Sequence, residues 1–141
     1  MVQNYYYVDT CIWLNLFKEE MPHLENAKSF IERINNLNEY IYYSDIVLRE
    51  IKNKLMDDIV FLEKLNVMKN TPNFRYIEAI KEDFAYSRKL ESKSQFEISF
   101  YDCIHISICK RLDLILVTRD KKLLEFSKEF IISEKPENLP H

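Results

Sequence analysis

Residues 4–17 read NYYYVDTCIWLNLF. The run Asn4–Val8, rich in Tyr and Val, reads as a short buried strand, and Asp9 ends it. Ile12, Trp13, Leu16 and Phe17 then recur at helical spacing. An apolar strand that stops on an acid and passes straight into a helix is a building block of α/β sheets. The unit returns late in the chain at residues 114–126, LILVTRDKKLLEF, where Leu114–Val117 is strand-like and residues 120–128 return to helix.

Between these units the pattern alternates. Pro22 suits the first turn of a helix whose apolar face carries Leu24, Ala27, Ile31, Ile34 and Leu37. Tyr40–Tyr43 is a second β-like run, with Ser44 placed to cap a helix through Ile46, Val47, Ile51 and Leu55. That helix breaks at Asp57–Asp58 before a further segment through Leu65. Residues 66–74, NVMKNTPNF, read equally as an edge strand or a loop. Ile77, Ile80, Phe84, Ser87 and Leu90 predict one helix, and Ser99 caps another carrying Ile104, Ile106, Cys109 and Leu112. Ile131 and Ile132 predict a last strand. The expectation is one domain over 1–141: a three-layer α/β/α fold with a mostly parallel sheet of four or five strands.

Composition narrows the chemistry. The 141 residues contain no glycine, where average usage would supply roughly ten. Phosphate-binding P-loops, the dinucleotide GxGxxG turn and the GxSxG nucleophile elbow are thereby excluded. No apolar run exceeds four residues, so no transmembrane helix is expected. Three cysteines without a CxxC pair point to a reduced, cytoplasmic chain. A net charge of −3 argues against gripping a polyanion by bulk charge and leaves a metal-bridged contact open.

Four acids fall where strand ends would gather them. Asp9 follows the first strand and Asp120 the late one; Glu50 lies about two turns into the helix after Tyr40–Tyr43; Asp102 opens the helix capped by Ser99. They lie 41, 52 and 18 residues apart in turn, so only the fold can join them. Clustered carboxylates suit Mg²⁺ or Mn²⁺, hard cations that clamp a phosphodiester and activate water. Taken singly, Asp9 and Asp120 are also good helix N-caps, Glu50 can pair with Lys54, and Asp102 complements a helix dipole.

The strings YYYVDTCIWL, YYSDIVLREI, SFYDCIHISICKRL and LILVTRDKKLLEF, with the tail KPENL at 135–139, resemble PIN-domain nucleases, including VapC-like toxins of toxin–antitoxin pairs. The resemblance spans nearly the whole chain. It implies a metal-dependent endoribonuclease in which Asp9, Glu50, Asp102 and Asp120 bind Mg²⁺ or Mn²⁺, with Thr10 and Thr118 in support. It also implies a homodimer covered by an antitoxin segment. Ile12, Trp13, Leu16, Phe17, Phe30, Ile31 and Ile34 are the apolar residues from which an exposed patch would be drawn. One departure is that Arg111–Leu112 stands where the family has glycine before the late strand.

Lys52, Arg119, Lys121 and Lys122 flank the acids and are candidates for RNA phosphate contacts. His105 shares a helix face with Asp102, and a packed, hydrogen-bonded role is favoured over a general base. Cys103, His105 and Cys109 diverge around that helix and make no zinc site. Two other readings compete: a catalytically silent PIN-like module that binds RNA or protein, and a stand-alone RNA-processing nuclease. A phosphatase of the haloacid-dehalogenase kind is disfavoured, because position 11 is Cys where that family needs a second Asp.

Overall fold

The computed structural model describes residues 4–140. Five parallel strands form one sheet: β1 (Tyr5–Val8), β2 (Tyr40–Ser44), β3 (Phe74–Ile77), β4 (Ile115–Val117) and β5 (Ser133–Glu134), in the order β3-β2-β1-β4-β5. Seven α-helices connect them: α1 (Thr10–Phe17), α2 (His23–Asn36), α3 (Asp45–Leu55), α4 (Asp58–Asn70), α5 (Lys81–Lys93), α6 (Phe100–Leu112) and α7 (Lys121–Ser127). The chain walks outward from β1 to β3, then returns to place β4 on the other side of β1. Right-handed crossovers therefore put α1–α4 on one face and α5–α7 on the other. Where the walk reverses, the carboxyl ends of β1 and β4 part and open a crevice. Asp9 and Asp120 follow those two ends.

The strand period divides the core. Tyr6 packs edge-on against Phe30 of α2, whereas Tyr7, its neighbour, reaches His105 of α6. Both tyrosines are fully buried, as are Ile41, Ile46, Ile104 and Leu116. On the α5–α7 face, Asp83 joins α5 to α6. Its carboxylate accepts from Ser107 Oγ (2.8 Å) and Arg111 Nη2 (2.9 Å), and from the Ile80 amide at its own helix start (2.9 Å). No described helix is long and apolar enough to cross a membrane.

Three local readings need correction. Residues 66–70 complete α4, and the third strand begins only at Phe74, after the turn Thr71–Asn73. Ile77 belongs to β3 and Ile80 precedes α5, because strand and helix abut and their apolar residues mimic one helical stripe. The last strand is Ser133–Glu134 rather than Ile131–Ile132, its register set by pairing with Leu116 and Val117.

Among the described residues, the lack of glycine leaves six of other types in the left-handed region, including Asp113 (φ 56°), which ends α6 ahead of β4. Asp tolerates that conformation better than most, so the turn needs no glycine at Arg111–Leu112. Met56 ends α3 with φ 56° and is 88% exposed, so it bears the steric cost and buries little in return. Met56→Gly should raise stability by about 0.5–1 kcal/mol in urea unfolding, the Cβ strain outweighing the added chain entropy.

Candidate metal centre

Asp9 is placed by its helix. Its Oδ1 accepts the Thr10 amide at 2.7 Å, capping α1, and its Oδ2 accepts the Thr118 hydroxyl at 2.7 Å. The capping and site readings of Asp9 are thus one arrangement. Thr118 in turn accepts the Asp120 amide (3.2 Å), so a single hydroxyl ties the ends of β1 and β4 together. The Cys11 thiol also points at Asp9 Oδ2, at 3.3 Å.

Glu50 enters from α3, anchored by the Thr10 hydroxyl at 2.9 Å and by His105 Nε2 at 2.9 Å. His105 Nε2 stands 3.6 Å from Asp9 Oδ1. One ligand atom each from Asp9, Asp102 and His105 lie within 4.8 Å of one another. Asp120 stands at the rim, exposed, with Oδ1 capping α7 through the Leu123 amide (3.2 Å). The fold therefore brings Asp9, Glu50 and Asp102 together around His105 and holds Asp120 beside them.

The histidine is where the sequence reading falls short. It is buried and hydrogen-bonded, as favoured, but its place is the middle of the acids. Behind it runs a buried chain: His105 Nδ1 to Tyr7 Oη at 2.6 Å, and Tyr7 Oη to Ser44 Oγ at 2.6 Å. Ser44 also caps α3 through the Val47 amide at 3.2 Å. Tyr7 and Ser44 were legible only as strand and cap, since their partners are distant in sequence. The available signal was that a fully buried tyrosine hydroxyl requires a partner.

The electrostatics match this crowding. Burial first, and the Asp9 charge next, push the Asp102 carboxyl up to about 7 from an ordinary 3.8. Burial works against a charged His105, but its hydrogen bond to Glu50 and the charges of Asp9, Glu50 and Asp102 outweigh that and hold it up at about 9. Burial would likewise raise Glu50, yet the His105 hydrogen bond and charge and the Thr10 hydroxyl bring it below its ordinary value. The imidazolium thus supplies one positive charge to a site with an excess of carboxylate. Oxygen donors from Asp9 and Asp102, with Glu50 hydrogen-bonded beside them and a proton retained on Asp102 near neutrality, fit a divalent cation that would relieve the repulsion.

The basic candidates are placed differently. Arg119 is paired with Glu137 through Nη1 (3.0 Å) and Nη2 (2.8 Å). Lys52 is exposed on α3, two residues beyond Glu50 and so turned roughly 200° from it. Lys121 and Lys122 are exposed at the start of α7, next to Asp120.

Similarity to known proteins agrees with this architecture. The chain superposes on VapBC2 from Rickettsia felis, bound to a promoter DNA fragment, with TM-score 0.74 and 19% identity over 93% of this chain and 98% of that one. FitAcB from Neisseria gonorrhoeae gives 0.69 and 16% over 95% and 99%. VapC20 from Mycobacterium tuberculosis, a Sarcin-Ricin loop cleaving toxin, gives 0.71 and 16% over 93% and 99%. A search of curated proteins finds no match. The sequence profile described as PIN domain matches residues 6–129, a span running from β1 through α7 and containing all four acids. This chain belongs to the PIN-domain family.

Proposed function

We propose that the protein is a metal-dependent endoribonuclease that hydrolyses RNA phosphodiester bonds, and the toxin of a toxin–antitoxin pair acting in the cytoplasm. The observation that carries the reading is the convergence of Asp9, Glu50 and Asp102 on His105 at the carboxyl end of β1, with Asp120 at the rim. All four acids are assigned as catalytic, metal-binding residues, with Mg²⁺ or Mn²⁺ as the cofactor. The bound cation supplies Lewis acidity and a water of lowered pKa. Around it, Thr10 and Thr118 fix the carboxylates of Glu50 and Asp9. Lys121 and Lys122, free of the pairing that engages Arg119, take the RNA phosphates.

The partner reading draws on the similar structures, which include a toxin–antitoxin complex from Klebsiella pneumoniae and DNA-bound VapBC from Salmonella typhimurium. Of the apolar residues singled out above, Ile12, Trp13, Phe30 and Ile34 are consumed by the core. Leu16, Phe17 and Ile31 remain partly exposed and line a groove of about 470 Å³ with Val67 and Phe74. An antitoxin segment covers such a groove, and the toxin pairs as a homodimer.

With purified protein and a structured RNA, cleavage should require Mg²⁺ or Mn²⁺, cease in excess chelator and return when Mn²⁺ is restored. The product of a neighbouring small gene should repress it. Cleavage that survives chelation contradicts the metal mechanism; cleavage that no neighbouring product represses removes the toxin assignment and leaves a stand-alone nuclease.

A further inference from the structure

We propose that His105 is a nitrogen ligand of the cation site, oriented by Tyr7, and that it tilts the site toward Mn²⁺ over Mg²⁺. This rests on the metal-dependent reading above and adds to it a donor that the four acids do not include. Nε2 of His105 lies 3.6 Å from Asp9 Oδ1, and the ligand atoms of Asp9, Asp102 and His105 fall within 4.8 Å of one another. Ligands of a six-coordinate ion at roughly 2.1–2.2 Å stand about 3 Å apart when adjacent and about 4.3 Å when opposite, so the span is of the right size.

The ring has little freedom to do anything else. It is fully buried, and Tyr7 Oη holds Nδ1 at 2.6 Å while itself bound to Ser44 Oγ at 2.6 Å. That chain occupies Nδ1 and leaves Nε2 as the ring nitrogen facing the carboxylates. With Nδ1–H donating to Tyr7 and Tyr7 donating to Ser44, the lone pair is confined to Nε2, the arrangement that supports a metal-bound imidazole. Ligation releases the Nε2 proton to solvent, and no other covalent change is involved. Glu50, which now accepts from Nε2, keeps the Thr10 hydroxyl as its anchor. Mg²⁺ prefers oxygen and sheds water reluctantly, whereas Mn²⁺ accepts imidazole nitrogen more readily.

The test uses the full chain loaded with Mn²⁺ and no RNA. Pulsed EPR should show ¹⁴N modulation that changes to a ¹⁵N pattern in protein made with ¹⁵N-histidine and disappears in His105→Gln. Calorimetry should show Mn²⁺ binding at least tenfold tighter than Mg²⁺ in the wild type, with the ratio falling toward unity in His105→Gln. Tyr7→Phe removes only a hydroxyl and should weaken Mn²⁺ roughly 10–100-fold with the circular dichroism spectrum unchanged. Should His105→Gln fail to fold, the isotope comparison in the wild type decides. Mn²⁺ that binds without nitrogen coupling overturns the proposal and leaves the nuclease reading intact; no Mn²⁺ binding at all overturns both.

Discussion

Asp102→Asn should lower RNA cleavage by at least roughly three orders of magnitude while leaving the metal-free protein as stable as the wild type or more so. The two effects have one cause. Asp102 is two residues into α6, where burial and the Asp9 charge hold its carboxyl near 7. A charged form is therefore costly in the folded chain without a cation, and it is the form a cation requires. Asn keeps the volume and removes the charge, so repulsion is relieved and a ligand is lost. The melting temperature should rise by roughly 3–5 °C for each kcal/mol recovered. Asp120→Asn should cost less activity, since that carboxylate sits exposed at the rim and is hydrogen-bonded into α7. Parallel turnover and melting measurements check both. Undiminished turnover in Asp102→Asn excludes the assigned role, and a collapsed melting temperature would mean the residue is structural.

The same residues show why so much of this site could be read without coordinates. Asp9, Ser44, Ser99 and Asp120 each cap a helix, and capping has a local signature: a short polar residue between a strand or loop and an apolar stripe. Because the caps of α1 and α7 stand at the ends of β1 and β4, locating the helix starts also located two of the acids. Asp102 and Glu50 followed from helical spacing once the alternation of strands and helices was seen. What stayed hidden was settled by contacts between distant residues. Tyr7 and His105 are 98 positions apart, and neither residue type nor spacing announces their 2.6 Å contact. The ends of β3 and β5 were misjudged for a related reason. Pairing with Ile41–Ser44 and with Leu116–Val117 defines those strands, and a short edge strand carries too few residues for its own pattern to compete. The glycine missing before β4 was an informative departure, resolved by Asp113 adopting the left-handed conformation in its place.

Without divalent metal, the protein should be more stable near pH 6 than near pH 9, and Mn²⁺ should reverse that slope. In the folded chain the Asp102 carboxyl sits at about 7 rather than 3.8, so the folded state retains a proton that the unfolded chain has already lost. Stability from this group therefore falls as pH rises from about 4 to about 7. His105 sits at about 9 rather than 6.5. Its contribution is fully present below about 6.5 and is lost as pH climbs through about 9, the same direction as Asp102. Glu50 is held below its ordinary 4.5, so its contribution is present above that value and lost only as pH falls beneath it. The three together place the stability maximum of the metal-free chain in the mildly acidic range. A cation competes with the protons on this cluster and binds more tightly as they leave. At a free Mn²⁺ concentration about a thousandfold above the dissociation constant, the gain is about 4 kcal/mol, or roughly 12–20 °C in melting temperature, and it is largest at alkaline pH. Thermal melts from pH 5 to 9, in chelator and in Mn²⁺, measure both slopes at once. A metal-free profile that is flat or rises toward pH 9 would show that Asp102 and His105 do not hold their protons against one another, and the charge balance assigned to the site would fall with it.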